Sequence, residues 1–228
     1  MRLGAKISLR GTIARGLGSL IVILRTLFTT GALACALLAG AAPRALALEP
    51  VTHGAWTMGL GLGVGHGEIV YPGGDSFYAK DGASHTIVIQ HSLSDRTRAG
   101  VNWQTWLTER GLGGERIRRS MQTLTASATL VPGNLDNAWS GFYLRGGVGI
   151  AQGRYSTADS DEHGEDINLQ KKDQTGIAFQ GGLGYEFHVT SHIASGMNVM
   201  ANYAGYEDEL FDHGWYVPVS FTLNWSFK

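Results

Sequence analysis

The stretch WTMGLGLGVG, from Trp56 to Gly65, decides how this 228-residue chain folds. Trp56, Met58, Leu60, Leu62 and Val64 occupy one phase of it, and Thr57, Gly59, Gly61, Gly63 and Gly65 the other. A period of two over that length is a strand with two very different faces. A helix would scatter the glycines around its circumference and be strongly destabilised by them.

The pattern recurs seven more times. Residues 85–94 are the weakest copy: Ile87, Ile89 and Leu93 oppose Thr86, Gln90 and Ser92, while Val88 and His91 break the alternation. Val101, Trp103 and Leu107 oppose Asn102, Gln104 and Thr108; Leu124 to Leu130 alternates with Thr123 to Thr129. Phe142, Leu144, Val148 and Ile150 oppose Tyr143, Arg145, Gly147 and Gly149. Ile177, Phe179, Leu183, Tyr185 and Phe187 oppose Ala178, Gln180, Gly182, Gly184 and Glu186. Met197, Val199, Ala201 and Tyr203 oppose Gly196, Asn198 and Asn202. The last copy sets Trp215, Val217, Val219, Phe221, Leu223, Trp225 and Phe227 against Tyr216, Pro218, Ser220, Thr222, Asn224 and Ser226.

Eight such strands need connections, and these alternate in size. Residues 94–98, 132–140 and 190–192 are compact, whereas 71–84, 156–174 and 207–214 are longer and more charged; 111–115 is a short exception. Short turns on one rim and long polar loops on the other describe a transmembrane barrel with both termini at the short-turn rim. Segment 156–174, with Asp159, Asp161, Glu162, His163, Glu165 and Asp166, reads as a mobile, solvated loop.

Periodicity does not say which face is inside, since inverting a barrel leaves the pattern unchanged. A soluble barrel turns its apolar face inward, and an outer-membrane barrel turns it toward lipid. Side-chain volume separates the two. An eight-stranded interior is just wide enough to be filled by side chains, and it would be crowded by Trp56, Trp103, Phe142, Phe179, Tyr185, Tyr203, Trp215, Phe221 and Trp225 together. Inverted, the narrow interior receives glycine and small polar residues, and the large aliphatics meet lipid. The aromatics near strand ends (Trp56, Trp139, Tyr155, Tyr203, Trp215, Trp225) then read as interfacial girdles. Pro218 reads as a local break in pairing. The expected fold is therefore all-β: an eight-stranded antiparallel up-and-down transmembrane β-barrel.

Two charges, Arg145 and Glu186, fall in the inward phase of neighbouring strands. A lone charge in a dry lumen is expensive, so they are expected to belong to an interior salt-bridge network, with Asn102, Gln104, Gln180, Asn198 and Asn202 filling the remainder.

The first 47 residues differ in kind. Arg2, Lys6, Arg10, Arg15 and Arg25 come without an acid, a short apolar run follows, and Ala45-Leu46-Ala47 supplies a cleavage site. This is the pattern of a secretory signal peptide over 1–47, leaving a barrel domain over 48–228. The apolar run is short for a membrane anchor. The single cysteine, Cys35, lies in this segment, in a context only loosely like a lipoprotein box, so disulfides and thiolate metal sites are not expected in the mature chain. A formal charge of −1 argues against a nucleic-acid partner.

On these residues the chain resembles the small outer-membrane β-barrel superfamily of Gram-negative bacteria, the group of OmpA-, OmpX- and OmpW-like barrels. The last strand carries the likeness best: Phe221, Leu223, Trp225 and Phe227 match the alternating ending of that group, with Lys228 one residue beyond it. The stretch 140–149, SGFYLRGGVG, is a compositional likeness of the same kind. The resemblance implies location in the cell outer membrane with both termini periplasmic. It implies contact with outer-membrane lipid and lipopolysaccharide, and recognition of the last strand by the barrel-assembly machinery. It also implies a structural, envelope-integrity or surface-interaction role for an unassigned surface ligand, or else a narrow channel for small or hydrophobic solutes.

Chemistry is not expected, and neither is a metal or cofactor. A lipid A-modifying enzyme needs a Ser nucleophile and a His base within reach, but in His91-Ser92 and Ser84-His85 the adjacent residues face opposite sides of a strand. Asp208, Asp212 and His213 resemble part of a surface-protease site without the second acidic pair, and the carboxylates around His163 are out of register for an EF-hand loop.

Overall fold

The computed structural model describes residues 55–72, 76–112, 115–132, 141–160, 166–207 and 211–227, all within the compact unit Ala45–Lys228. The expected signal peptide lies outside the described residues, as do Trp139, His163 and Asp208.

Among the described residues eight strands close one antiparallel barrel in sequence order. They are β1 (Trp56–Val70), β2 (Ser76–Ser92), β3 (Thr97–Leu112), β4 (Glu115–Leu130), β5 (Phe142–Ser160), β6 (Asp166–His188), β7 (Ile193–Tyr206) and β8 (His213–Phe227). Closure comes from β1 against β8, in register from Trp56↔Phe227 to Val70↔His213. A closed sheet has no edge with unpaired backbone groups, which hydrocarbon requires. We call the end holding Trp56 and Phe227 the terminus end, and the other the loop end.

The amphipathicity is inverted relative to a soluble barrel. Leu62 and Val64 are 74% and 69% exposed, and the outward apolar residues of the other strands join them in one belt. A soluble monomer does not present so large a continuous apolar surface. The alternate residues, Gln90, Asn102, Gln104, Thr123, Asn198, Asn202 and Ser220 among them, are buried inside. The chain is thus a transmembrane β-barrel, with the phase assignment read from WTMGLGLGVG.

The glycines explain why that phase had to be inward. A Cβ on Gly59, Gly61, Gly63, Gly65 or Gly67 would run into Asn224, Thr222, Ser220, Pro218 or Tyr216 of β8 respectively. Each glycine is a seat for a neighbouring side chain in a lumen with no spare width. Pro218 faces the lumen where the β7–β8 ladder is interrupted, between Val199↔Val219 and Asn202↔Tyr216.

The strands differ from the expected ones mainly in length. Crossing a bilayer takes about 9–11 tilted residues, yet β5 has 19 and β6 has 23. Most of 156–174, expected as a loop, is strand: β5 runs to Ser160 and β6 begins at Asp166. Residues 76–84, also expected as loop, belong to β2. Beyond the lipid both faces meet water, so the alternation that marks a strand disappears while backbone pairing continues. A cross-strand ion pair, Arg154–Asp173 at 2.7 Å, lies on the β5–β6 extension, and Arg118–Glu109 at 2.9 Å is its counterpart on β3–β4. Tyr155 is a further correction: it turns inward against the interior cluster and beneath Arg119, and takes no part in a girdle. Trp56, Tyr203, Trp215 and Trp225 do sit on the outer face.

Candidate functional site

The lumen has two unlike halves. Toward the loop end it is an apolar core built from Ile69, Trp106, Met121, Tyr206, Phe211 and Tyr216, with Tyr71 packed on it. Trp106 and Tyr216 stack with centroids 6.1 Å apart, and Phe211 lies 5.7 Å from both Tyr71 and Tyr206. Glycines again provide the room: a Cβ on Gly67 or Gly82 would strike Trp106, and one on Gly153 would strike Phe211. Phe211 comes from the β7–β8 connection and is held by Gln174, which accepts from its backbone N–H at 2.8 Å and donates to its carbonyl at 3.1 Å. Trp106 Nε1 donates to the Gly65 carbonyl at 3.1 Å. Arg119 donates to the Tyr71 hydroxyl at 2.9 Å above this cluster. Sequence reading passed over Trp106 because it stands in a polar phase. Its signal is a large ring in the inward phase, two strands from the glycine column.

Toward the terminus end the lumen is polar. Glu186 of β6 accepts from Arg98 Nη1 of β3 at 3.2 Å and from Asn224 Nδ2 of β8 at 3.0 Å. One carboxylate therefore braces three strands across the interior. Gln90 of β2 reaches past Gly100 of β3 to Ser127 and Thr129 of β4, at 3.4 and 2.8 Å. Asn102 donates to Gln180 at 2.8 Å. These groups have almost no water contact, so leaving one partner unmatched costs the desolvation of the other.

Arg145 and Glu186 are both in the lumen, each 6% exposed, and of the two Glu186 takes part in an interior salt bridge while Arg145, among the described residues, does not. The partner of Glu186 is Arg98. In register Arg145 stands beside Gly182, four residues short of Glu186 along β6, a separation of about 13 Å at strand rise. Arg98 instead projects across the lumen from a strand three places away. Arg145 donates through Nε to Thr129 at 3.0 Å and stacks over the Tyr143 ring at 5.0 Å. The stacking contributes about 1–2 kcal/mol, less than the several kcal/mol that burying a cation costs.

The four residues expected as an assembly signal, Phe221, Leu223, Trp225 and Phe227, line the outward face of β8 opposite Leu62, Leu60, Met58 and Trp56. The two Ser–His pairings weighed above do not assemble. His91 lies outside against Trp56 at 4.9 Å while Ser92 is buried inside, and His85 lies outside against Trp103 while Ser84 is inside. Asp212 and His213 do meet, at 3.0 Å, on the exposed loop end.

A narrow closed barrel with lipid outside and a packed interior defines a class, the small eight-stranded transmembrane barrel. No protein-family model matches the chain, and neither does any curated protein sequence. Solved structures match its fold. Ail, the attachment invasion locus protein of Yersinia pestis, in complex with the heparin analogue sucrose octasulfate, is 12% identical with a TM-score of 0.52; the match covers 77% of this chain and all of that one. Neisserial surface protein A is 16% identical over 77% of this chain and all of its own, with a TM-score of 0.49. The N-terminal barrel domain of Pseudomonas aeruginosa OprF is 12% identical over 76% of this chain and 98% of its own, with a TM-score of 0.43. The chain has the fold of the small eight-stranded outer-membrane barrels.

Proposed function

We propose that the chain is an integral protein of the bacterial outer membrane that serves the envelope as a structural or surface-interacting barrel, and that it neither conducts solutes nor catalyses a reaction. The observation that carries this reading is the lumen: Trp106, Tyr216, Phe211 and Met121 are fully buried across the path from end to end. Contacts with the surroundings then fall to two places. The apolar belt meets lipid and the acyl part of lipopolysaccharide. The β5–β6 hairpin, longer than a bilayer needs, carries the exposed Arg154, Lys171, Lys172 and Asp173 to a surface ligand.

In this reading residues 1–47 direct export and are removed, the termini face the periplasm, and the assembly machinery recognises β8. Deleting Phe227 and Lys228 together then impairs insertion more than deleting Lys228 alone, scored by heat-modifiable migration in outer-membrane fractions. Equal insertion would remove the recognition of β8 from the account. Planar-bilayer recording tests the whole. The intact protein is expected to give no conductance steps, and Trp106→Ala with Phe211→Ala to create them. Steps from the intact protein would favour the narrow-channel reading, for which the polar terminus-end lumen speaks. An altered lipid A mass spectrum in a deletion strain would favour an enzyme.

A further inference from the structure

Among the described residues the charges in the terminus-end lumen do not balance. Two guanidinium groups, Arg98 and Arg145, face one carboxylate, Glu186, which is the one acid among the buried described residues. Glu186 is engaged by Arg98 and Asn224. Arg145 uses Nε on Thr129, a hydroxyl that also bonds Gln90 and brings no negative charge. The Nη nitrogens of Arg145 have no acceptor among the described residues. His188, at the rim, can only add positive charge.

The neighbouring amides point to the same gap. Gln180 Nε2 is buried without a partner and lies beside Gly147, two residues along β5 from Arg145. On the other side the Tyr143 ring, on which Arg145 stacks, lies over Gly184, the register partner of Asn198. Asn198 is 2% exposed; its Oδ1 has no partner, and its amide N–H faces the Tyr143 hydroxyl without a close hydrogen bond. A buried cation is thus bracketed along the lumen by the unsatisfied Gln180 Nε2 and by the weakly engaged Asn198 amide, while Arg98 lies further toward the rim. Cation and donors together make a binding site for an anion.

We propose that the terminus-end lumen binds one compact monovalent anion of halide size on the Arg145 guanidinium, with Asn198 and Gln180 as supporting donors. One uncompensated positive charge selects a monovalent ion, and the narrow interior selects a small one. This goes beyond the envelope role, and it holds whether or not the lumen conducts.

Bromide is the probe. Crystals of the wild-type protein grown in bromide are expected to show an anomalous peak within hydrogen-bond distance of the Arg145 Nη atoms. In detergent at constant ionic strength, replacing gluconate with bromide is expected to raise the unfolding temperature along a saturating curve. Arg145→Gln should flatten that curve. Glu186→Gln frees the second guanidinium and should lower the half-saturating bromide concentration about tenfold, a direction that loss of a merely structural contact would not give. Absence of the peak, or an equal bromide response in wild type and Arg145→Gln, would overturn the proposal. If Arg145→Gln does not fold, the wild-type peak and the Glu186→Gln shift decide the matter.

Discussion

The two halves of the lumen solve one problem by opposite means. An eight-stranded barrel leaves a space too narrow for bulk water and too wide to close on backbone alone. At the loop end large rings fill it, each seated on glycines: Trp106 on Gly67 and Gly82, Phe211 on Gly153. At the terminus end long polar side chains fill it, spanning from wall to wall: Arg98 and Asn224 to Glu186, Gln90 to Thr129. The first kind of filling depends on shape and area, and the second on every partner being present. Truncation in the first leaves a cavity, whereas removing one partner in the second leaves a charge. The second kind of damage is reversible by removing the other partner as well, and the first is not.

That difference can be broken or sharpened by substitution, with unfolding in detergent followed by heat-modifiable gel mobility or urea titration. Trp106→Ala is expected to be the most damaging, at about 4–5 kcal/mol, since it empties the largest buried ring and orphans the Gly65 carbonyl. Glu186→Leu should cost about 3–5 kcal/mol by leaving the largely enclosed Arg98 side chain unpaired in the lumen. Adding Arg98→Leu should recover most of that loss, because an apolar pair of similar volume replaces a buried ion pair at little net cost. If the double variant were no better than Glu186→Leu, the bracing role of the ion pair would be lost from the account.

Glycine variants probe the wall itself. Gly184→Ala, whose Cβ meets the Tyr143 ring, should cost about 1–3 kcal/mol. Gly181→Ala, with nothing within 4 Å on the lipid side, should be neutral or stabilising by up to about 1 kcal/mol. Equal effects at the two sites would mean that inside and outside had been assigned wrongly. Smallest of all is Arg154→Ala on the projecting hairpin, where an exposed ion pair with Asp173 contributes about 0.2–1 kcal/mol.

Much of this arrangement is legible from residues alone, for a physical reason. Inside the membrane the two faces of a strand meet different media, so Trp56–Gly65 and 215–227 declare both the strand and its orientation. Above the membrane that contrast ends, and 156–160 and 166–174 read as loop although they pair as strand. The lumen is legible by phase but not by partner. Arg145 and Glu186 could be placed inside, yet the choice of Arg98 over Arg145 depends on register and on reach across the interior, which no spacing within one strand encodes. Tyr155 misled because an aromatic near a strand end suits a girdle and an interior plug equally well. Phe211, carried inward by a connection and held by Gln174, leaves no periodic trace at all.

The central claim is the inversion, that β3 turns Trp103 to lipid and Trp106 to the lumen three residues later. Variants retaining one tryptophan at either position, reconstituted in vesicles of acyl-chain-brominated phospholipid, test it most directly. The account predicts strong fluorescence quenching of Trp103 and little of Trp106. Quenching of Trp106 with Trp103 protected would contradict it.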